Sequence, residues 1–154
     1  MVIALTHEKR GILTIHHLTP VSRGGDKRKA KNMLAIWWNR HRSWHHVFGN
    51  SSLLEIICTL EEVQIYTSNN EFFLKIQNAA ERKTGKEWRQ MRHETATMLH
   101  RQIGCNLVSR VILVLLFEKN RWHNVFNGGS IDHAIALCQR IQKWKGRLNG
   151  EFRF

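Results

Sequence analysis

Residues 16–46 read HHLTPVSRGGDKRKAKNMLAIWWNRHRSWHH, and this stretch decides the fold of the first third of the chain. The two leading histidines end a short run with β-branched residues, 11–17, which predicts a strand. A polar loop follows over residues 19–31, with the only proline, a Gly-Gly pair and five basic residues. The sequence then predicts a helix over residues 39–48, because apolar and histidine residues recur there at spacings of three and four. Residues 33–38 fit either a second strand or the lead into this helix.

The remainder of the chain is predicted to be mainly helical. Ser52 with Glu55 forms a capping-box pattern at the start of one helix. Residues 72–102 have a helical pattern with a break near their middle, and residues 130–148 have the clearest one, behind a serine cap. Residues 107–117 are almost wholly apolar, so their periodicity does not distinguish a buried helix from a buried strand.

These patterns predict an α+β protein. The 154 residues suffice for one compact domain or two very small ones. We expect a compact N-terminal module over residues 1–50 and a helical C-terminal region over residues 51–154.

A short motif occurs twice. WHHVF at residues 44–48 recurs as WHNVF at residues 122–126, an offset of 78, and each copy precedes a serine and a predicted helix. Either the second half is a degenerate repeat of the first, or an aromatic helix end before a capped helix is a reusable packing unit. In a repeat the second half has lost the histidine pattern, because Thr95 stands where His17 would map.

The charge of the chain favours a polyanionic partner. Lys and Arg number 24 against 12 acidic residues, which gives a net charge of +12 and a pI near 10.4. Nucleic acid is the commonest partner of so basic a chain, although an acidic protein or a membrane surface would satisfy the same charge.

The cysteines and the apolar segments indicate a cytoplasmic location without a membrane partner. Cys58, Cys105 and Cys138 are widely separated and form no Cys-x-x-Cys pair, so we expect reduced core residues and no thiolate zinc site. The first ten residues become charged too early for a signal peptide. The apolar run at residues 111–117 is too short to span a membrane.

Five of the ten histidines lie between residues 16 and 46. His41 and His45 are one helical turn apart and share a helix face. A strand pair folded against that helix would bring His16 beside both of them. Three neutral imidazoles around one cation leave positions open for water and phosphate, as a catalytic site requires.

This pattern resembles the HNH nucleases, and its spacing is closest to that of the nuclease domains of DNase colicins. The resemblance covers residues 10–48, about a quarter of the chain. It begins at Arg10, where that family has a phosphate-contacting arginine, and the other matching residues are His16-His17, Pro20, Ser22, Gly24-Gly25, Asn32, His41 and His45. The resemblance implies a ββα-metal core at the N-terminus. Thr14 departs from it, because colicin-type domains have there an acidic residue that orients the arginine.

The resemblance also implies roles for these residues. His17 would be the general base, Asn32 would hold it through a side-chain hydrogen bond, and Arg10 would grip a phosphate oxygen. One divalent metal ion, Mg²⁺, Mn²⁺, Ni²⁺ or Zn²⁺, would be held by His16, His41 and His45. His46 points off that helix face, so we leave it out of the ligand set.

Other side chains near this pattern have two interpretations. The basic residues of the loop either contact backbone phosphates or form an ordinary solvated stretch; they are Arg23, Lys27, Arg28, Lys29 and Lys31. The tryptophans Trp37, Trp38 and Trp44 are expected to pack in the core rather than to stack on bases.

Two functions of different class follow. The first is an endonuclease that hydrolyses double-stranded DNA with little sequence preference. The second is a catalytically silent descendant that binds nucleic acid or protein, such as a phage-encoded inhibitor of a bacterial defence system. A subunit of a larger nucleic-acid-processing complex is a third possibility.

Overall fold

The computed structural model describes residues 12–143, and this part of the chain is mainly helical with a small antiparallel sheet. The α+β prediction is therefore confirmed at this level. Arg10 and the end of the helix predicted over residues 130–148, from residue 144 onward, lie outside the described range. Short 3-10 turns occupy Val21–Arg23 and Ala30–Asn32. The strands and α-helices, in chain order, are β1 (Leu13–His17), β2 (Met33–Trp37), α1 (Trp38–Phe48), α2 (Leu53–Ser68), α3 (Glu71–Ala80), α4 (Gly85–Ile103), α5 (Leu107–Phe117), α6 (Lys119–Phe126) and α7 (Ile131–Lys143).

Strands β1 and β2 form an antiparallel hairpin in which His16 lies opposite Leu34 and Thr14 opposite Ile36. Partners opposite each other share a face of the sheet, so these four side chains form its inner face. His16, Leu34 and Ile36 are buried there. Residues 33–37 are thus a strand, and the chain enters helix α1 directly at residue 38.

Helix α1 packs between the hairpin and helix α6. Its buried side chains lie on one side of the helix, whereas His45 on the opposite side is exposed. The helix ends at Gly49, whose φ of +59° lies in the left-handed region that favours glycine. The buried set is Arg40, Ser43, Trp44, Val47 and Phe48.

The two copies of the aromatic motif pack against each other. The rings of Phe48 and Phe126 are 5.9 Å apart between centroids. Arg40 Nε donates to the backbone oxygen of Asn124 over 3.1 Å, and the Asn124 amide donates to Ser43 Oγ over 3.2 Å. Helices α2 and α7, which follow the two motifs, also pack together. The motif is therefore a packing unit, whatever its origin.

The correspondence between the halves does not extend to the hairpin. At an offset of 78 residues, the positions of β1 and β2 map onto residues 91–95 and 111–115. These residues lie inside helices α4 and α5. Residues 12–143 therefore contain one hairpin of this kind, and a repeat would be limited to the paired helices.

Helix α5 resolves the ambiguous apolar segment. Asn106 caps it, because the Ser109 N–H donates to Asn106 Oδ1 over 3.1 Å, and the Asn106 N–H donates back to Ser109 Oγ over 3.1 Å. Most of its side chains are buried, and it contacts helices on several sides, from α1 to α6. An amphipathic pattern is missing because such a helix has no solvent-facing stripe.

The caps predicted for the longer helices are present. The Glu55 N–H donates to Ser52 Oγ over 3.3 Å, and the Ser52 N–H donates to the Glu55 carboxylate over 2.7 Å, which completes the capping box of α2. The His133 N–H donates to Ser130 Oγ over 3.3 Å at the start of α7.

Two other expectations have different outcomes. Cys138 is buried as expected, but Cys58 and Cys105 are exposed, so the prediction of three core cysteines is wrong for two of them. All three are free thiols. Among the described helices, none has the length and apolar character needed to cross a bilayer.

The packing of the two aromatic motifs should dominate stability. Replacing the fully buried Phe126 with alanine leaves a cavity between α1 and α6, and we expect a loss of about 3–5 kcal/mol in the free energy of unfolding. The matched control is Phe72→Ala on α3, where the side chain is 45% exposed, with an expected loss of about 0.5 kcal/mol. Urea unfolding measures both, and equal losses would contradict this account of the core.

Candidate metal centre

Three histidines converge where the hairpin meets helix α1. His16 extends from the inner face of β1, and His41 and His45 lie one turn apart on α1. Their ring centroids are 4.9–5.1 Å apart, and one donor atom from each ring lies within 4.8 Å of the others. His16 is 3% exposed, whereas His45 faces solvent, so the cluster is open on one side. The sequence predicted this juxtaposition.

The tautomer of His41 is set by Thr14. The Thr14 hydroxyl donates its only hydrogen to the backbone oxygen of Ile36 over 3.0 Å, because a carbonyl can only accept. The same hydroxyl oxygen lies 2.8 Å from His41 Nδ1 and must therefore accept a hydrogen from it. Neutral His41 consequently carries its proton on Nδ1 and presents a bare lone pair at Nε2.

His45 is held in the same tautomer. Its Nδ1 lies 3.0 Å from the backbone oxygen of Gly49, which can only accept, so Nδ1 carries the proton. The Nε2 atoms of His41 and His45 lie 3.1 Å apart. Two lone pairs facing each other at that distance repel, and a cation shared between them converts the repulsion into attraction. This arrangement is the main geometric reason to regard the cluster as a metal centre.

His16 completes the donor set from the buried side. Its Nδ1 atom is buried and has no hydrogen-bond partner, which costs about 1–3 kcal/mol for such a group. Burial, assisted by the neighbouring imidazoles of His45 and His41, lowers the pKa of His16 to about 3. Burial and the charge of His45 also lower the pKa of His41. Both rings are therefore neutral near pH 7, as metal ligands must be.

The donor set fits a transition-metal ion. His16, His41 and His45 together can hold a metal ion. Two nitrogens bound at about 2.1 Å to one tetrahedral ion lie about 3.4 Å apart, close to the 3.1 Å observed between His41 and His45. Imidazole donors suit Zn²⁺ and Ni²⁺, whereas Mg²⁺ prefers oxygen ligands. Three protein ligands leave coordination positions open, as in catalytic zinc sites.

His17 follows His16 at the end of β1, and its side chain is half-buried. Strand alternation places it on the opposite side of β1 from His16. After burial and the other histidines, the charge of His17 is the smallest of the causes that lower the pKa values of His16 and His41, so its imidazole lies within electrostatic range of the cluster. Within residues 12–143 the ring has no hydrogen-bond partner, and its nitrogens are free to contact water.

The side chain of Asn32 holds the loop between the two strands and does not contact the side chain of His17. Its Oδ1 accepts from the Thr19 N–H over 2.7 Å, and its amide donates to the backbone oxygens of Thr19 and Asp26, each over 3.0 Å. Both amide hydrogens are thus used, and the predicted side-chain hydrogen bond to His17 is wrong. Asn32 instead fixes the backbone just after His17, where its own carbonyl accepts from the Leu18 N–H over 2.9 Å.

The second glycine of the loop, Gly25, stands where there is no room for a side chain. A Cβ atom there would lie 1.9 Å from the backbone oxygen of Thr19, so any side chain would displace the loop. The Gly25 N–H also donates to the Pro20 oxygen over 3.0 Å. The close approach brings Gly25 against the Asn32 amide and keeps the loop compact beside His17.

The basic residues of the loop divide into two groups. Arg23 forms a bidentate ion pair with Glu55 of α2. Its guanidinium is therefore already paired, which disfavours the predicted contact with a phosphate. Lys29 lies 3.8 Å from the Asp26 carboxylate. Lys27, Arg28 and Lys31 are the exposed basic side chains of this loop for which residues 12–143 show no ion pair.

Several other predicted positions can now be placed. Arg10 lies outside the described residues. His46 contacts Glu118 over 2.8 Å instead of joining the cluster. Trp44 is buried beside His16 as expected, but Trp38 is 50% exposed, so its prediction as a core residue is wrong. The role of Thr14 in orienting His41 was not predicted from the sequence, although its position two residues before His16 on the same strand face was a usable signal.

No protein-family model matches the chain, and no curated protein or solved structure matches it either. The resemblance to HNH nucleases therefore remains an expectation from the residue pattern between Arg10 and His45.

The hydroxyl of Thr14 should control metal affinity. Thr14→Val preserves the side-chain shape but removes the acceptor for His41 Nδ1–H, and we expect Zn²⁺ affinity to fall about 10- to 100-fold. Titration calorimetry measures this, and Thr14→Ser should retain most of the affinity. A folded valine variant that binds Zn²⁺ as tightly as the unaltered protein would show that Thr14 does not orient the ligand.

Proposed function

We propose that the protein is a metal-dependent endonuclease of the HNH, or ββα-metal, type that hydrolyses phosphodiester bonds in DNA. The observation that carries this proposal is the convergence of His16, His41 and His45, with two bare Nε2 atoms 3.1 Å apart, at the strand end where His17 follows His16. A domain that only binds DNA has no physical need for a metal donor set and a free imidazole together.

Phosphodiester hydrolysis has three requirements that this site addresses. It needs a nucleophilic water, neutralisation of negative charge in the transition state, and stabilisation of the departing oxygen. A divalent cation in the donor set would supply Lewis-acid stabilisation to the phosphate and the departing oxygen. The open side of the cluster, at the exposed His45, gives a phosphate access to it.

His17 is the group proposed to activate water. A general base needs an imidazole nitrogen that is free to bind the attacking water, and the His17 ring has no hydrogen-bond partner among residues 12–143. Asn32 acts as a positioning residue, because its three side-chain hydrogen bonds hold the backbone of the loop that follows His17. Thr14 and the Gly49 carbonyl keep the protons of His41 and His45 on the nitrogens that point away from the site.

DNA is the proposed substrate because of the charge around the site. The chain carries a net charge of +12. Lys27, Arg28 and Lys31 are exposed on the loop that joins the two strands of the hairpin. Such side chains contact backbone phosphates without reading base sequence. We therefore propose DNA cleavage with little sequence preference, with an intact duplex as the starting substrate for assay.

Plasmid nicking tests this function. Supercoiled plasmid should be nicked or linearised with Zn²⁺, Ni²⁺, Mn²⁺ or Mg²⁺, and His17→Ala should lower the rate about 10²- to 10⁴-fold by removing the general base. The matched control is His46→Ala, which removes an exposed histidine bound to Glu118 and should leave the rate within about twofold.

One result would support the alternative function. If the protein binds DNA but cleaves it with none of these metals, the chain is a silent HNH-derived regulator that kept the fold and the charge. Equal rates for the His17→Ala and His46→Ala proteins would also remove His17 from the mechanism.

A further inference from the structure

Trp38 presents an aromatic ring to solvent beside the metal centre. Trp38 is the first residue of α1, and its backbone N–H donates to the backbone oxygen of Ile12 over 3.0 Å. The side chain is 50% exposed, whereas Trp44 on the same helix is 1% exposed. Packing of the core therefore accounts for Trp44 but leaves the indole of Trp38 without a comparable role.

The indole lies on the same helix face as the metal donors. Trp38, His41 and His45 follow the spacing i, i+3 and i+7, which keeps residues on one face of a helix. The rings of Trp38 and His41 are 6.1 Å apart between centroids and nearly perpendicular, at 83°. Arg42 is exposed one turn after Trp38. This face thus combines a flat aromatic surface, a guanidinium and two imidazoles.

Single exposed aromatic side chains are common on proteins, so exposure by itself does not indicate a binding site. The neighbours of Trp38 distinguish it from Phe72, which is 45% exposed on α3, outside the hairpin and α1. Successive bases along a strand are separated by about 3.4 Å. The ring centroids of Trp38 and His41 are 6.1 Å apart, less than about two such steps, so a base stacked on Trp38 would belong to a nucleotide close to a phosphate held at the donor set.

We propose that Trp38 stacks on the base next to the scissile phosphate, so that the protein prefers DNA in which that base is unstacked. This inference rests on the proposed function and names its substrate class. In an intact duplex the neighbouring bases cover both faces of each base. A single strand, or a duplex with a gap, exposes a base face to the indole, and such stacking is independent of base identity.

Binding measured without cleavage tests the inference. The His17→Ala protein with Zn²⁺ is titrated with a dye-labelled single strand, with the gapped duplex and with the intact duplex of the same sequence. Adding Trp38→Ala should weaken binding to the single strand and the gapped duplex about tenfold, and binding to the intact duplex by less than about threefold. Phe72→Ala, which removes an aromatic ring of similar exposure, should change none of the three affinities.

Two further variants separate stacking from bulk and from folding. Trp38→Phe keeps a flat ring and should retain most of the preference, whereas Trp38→Leu keeps apolar volume without a ring and should lose it. Equal effects on all three DNA forms, or a leucine variant with the full preference, would overturn the inference.

The outcome is distinguishable from that of the proposed function. A Trp38-dependent preference for unstacked DNA, without cleavage in any metal, would contradict the nuclease but would still show that Trp38 stacks on a base beside the donor set. Cleavage that requires His17 but uses intact and gapped duplexes equally would overturn this inference alone.

Discussion

The hydrogen bond between Thr14 and His41 is the contact on which the site depends. It joins β1 to α1 over 2.8 Å, and the second bond of the same hydroxyl, to the Ile36 carbonyl, ties in β2. One hydroxyl therefore connects all three elements and also decides which nitrogen of His41 is bare. Together with the hydrogen bond from His45 to the Gly49 carbonyl, this hydroxyl directs the Nε2 lone pairs of His41 and His45 toward each other. The geometry of the cluster is thus a property of the backbone and a threonine as much as of the histidines.

The helical part of the chain supplies the support that this small unit lacks. A two-stranded hairpin is marginally stable by itself in water. Here its inner face packs on α1, and α1 is held by α5 and α6 through Trp44, Phe48 and Phe126. The paired aromatic motifs therefore fix the helix that carries His41 and His45. Stability and site geometry share the same contacts, so a cavity at Phe126 is expected to loosen both.

Sequence patterns predicted the parts of this structure that depend on local spacing. Strand alternation and the one-turn interval placed His16, His41 and His45 together, and Ser52 marked the start of α2. The patterns did not distinguish a helix from a strand over residues 107–117, because this segment is buried on most sides and has no polar stripe. They also failed for Asn32, whose partners are set by the path of the loop, and for Trp38, because periodicity identifies a face but not what covers it.

Anomalous diffraction tests most directly whether the three imidazoles hold one divalent cation, as we propose. Crystals grown with Zn²⁺ should show, above the zinc absorption edge, one strong peak within about 2.1 Å of a nitrogen from each of His16, His41 and His45. Such a peak would establish the donor set and leave its open positions visible. Crystals with no peak there, or with the three rings turned away from one another, would contradict the account.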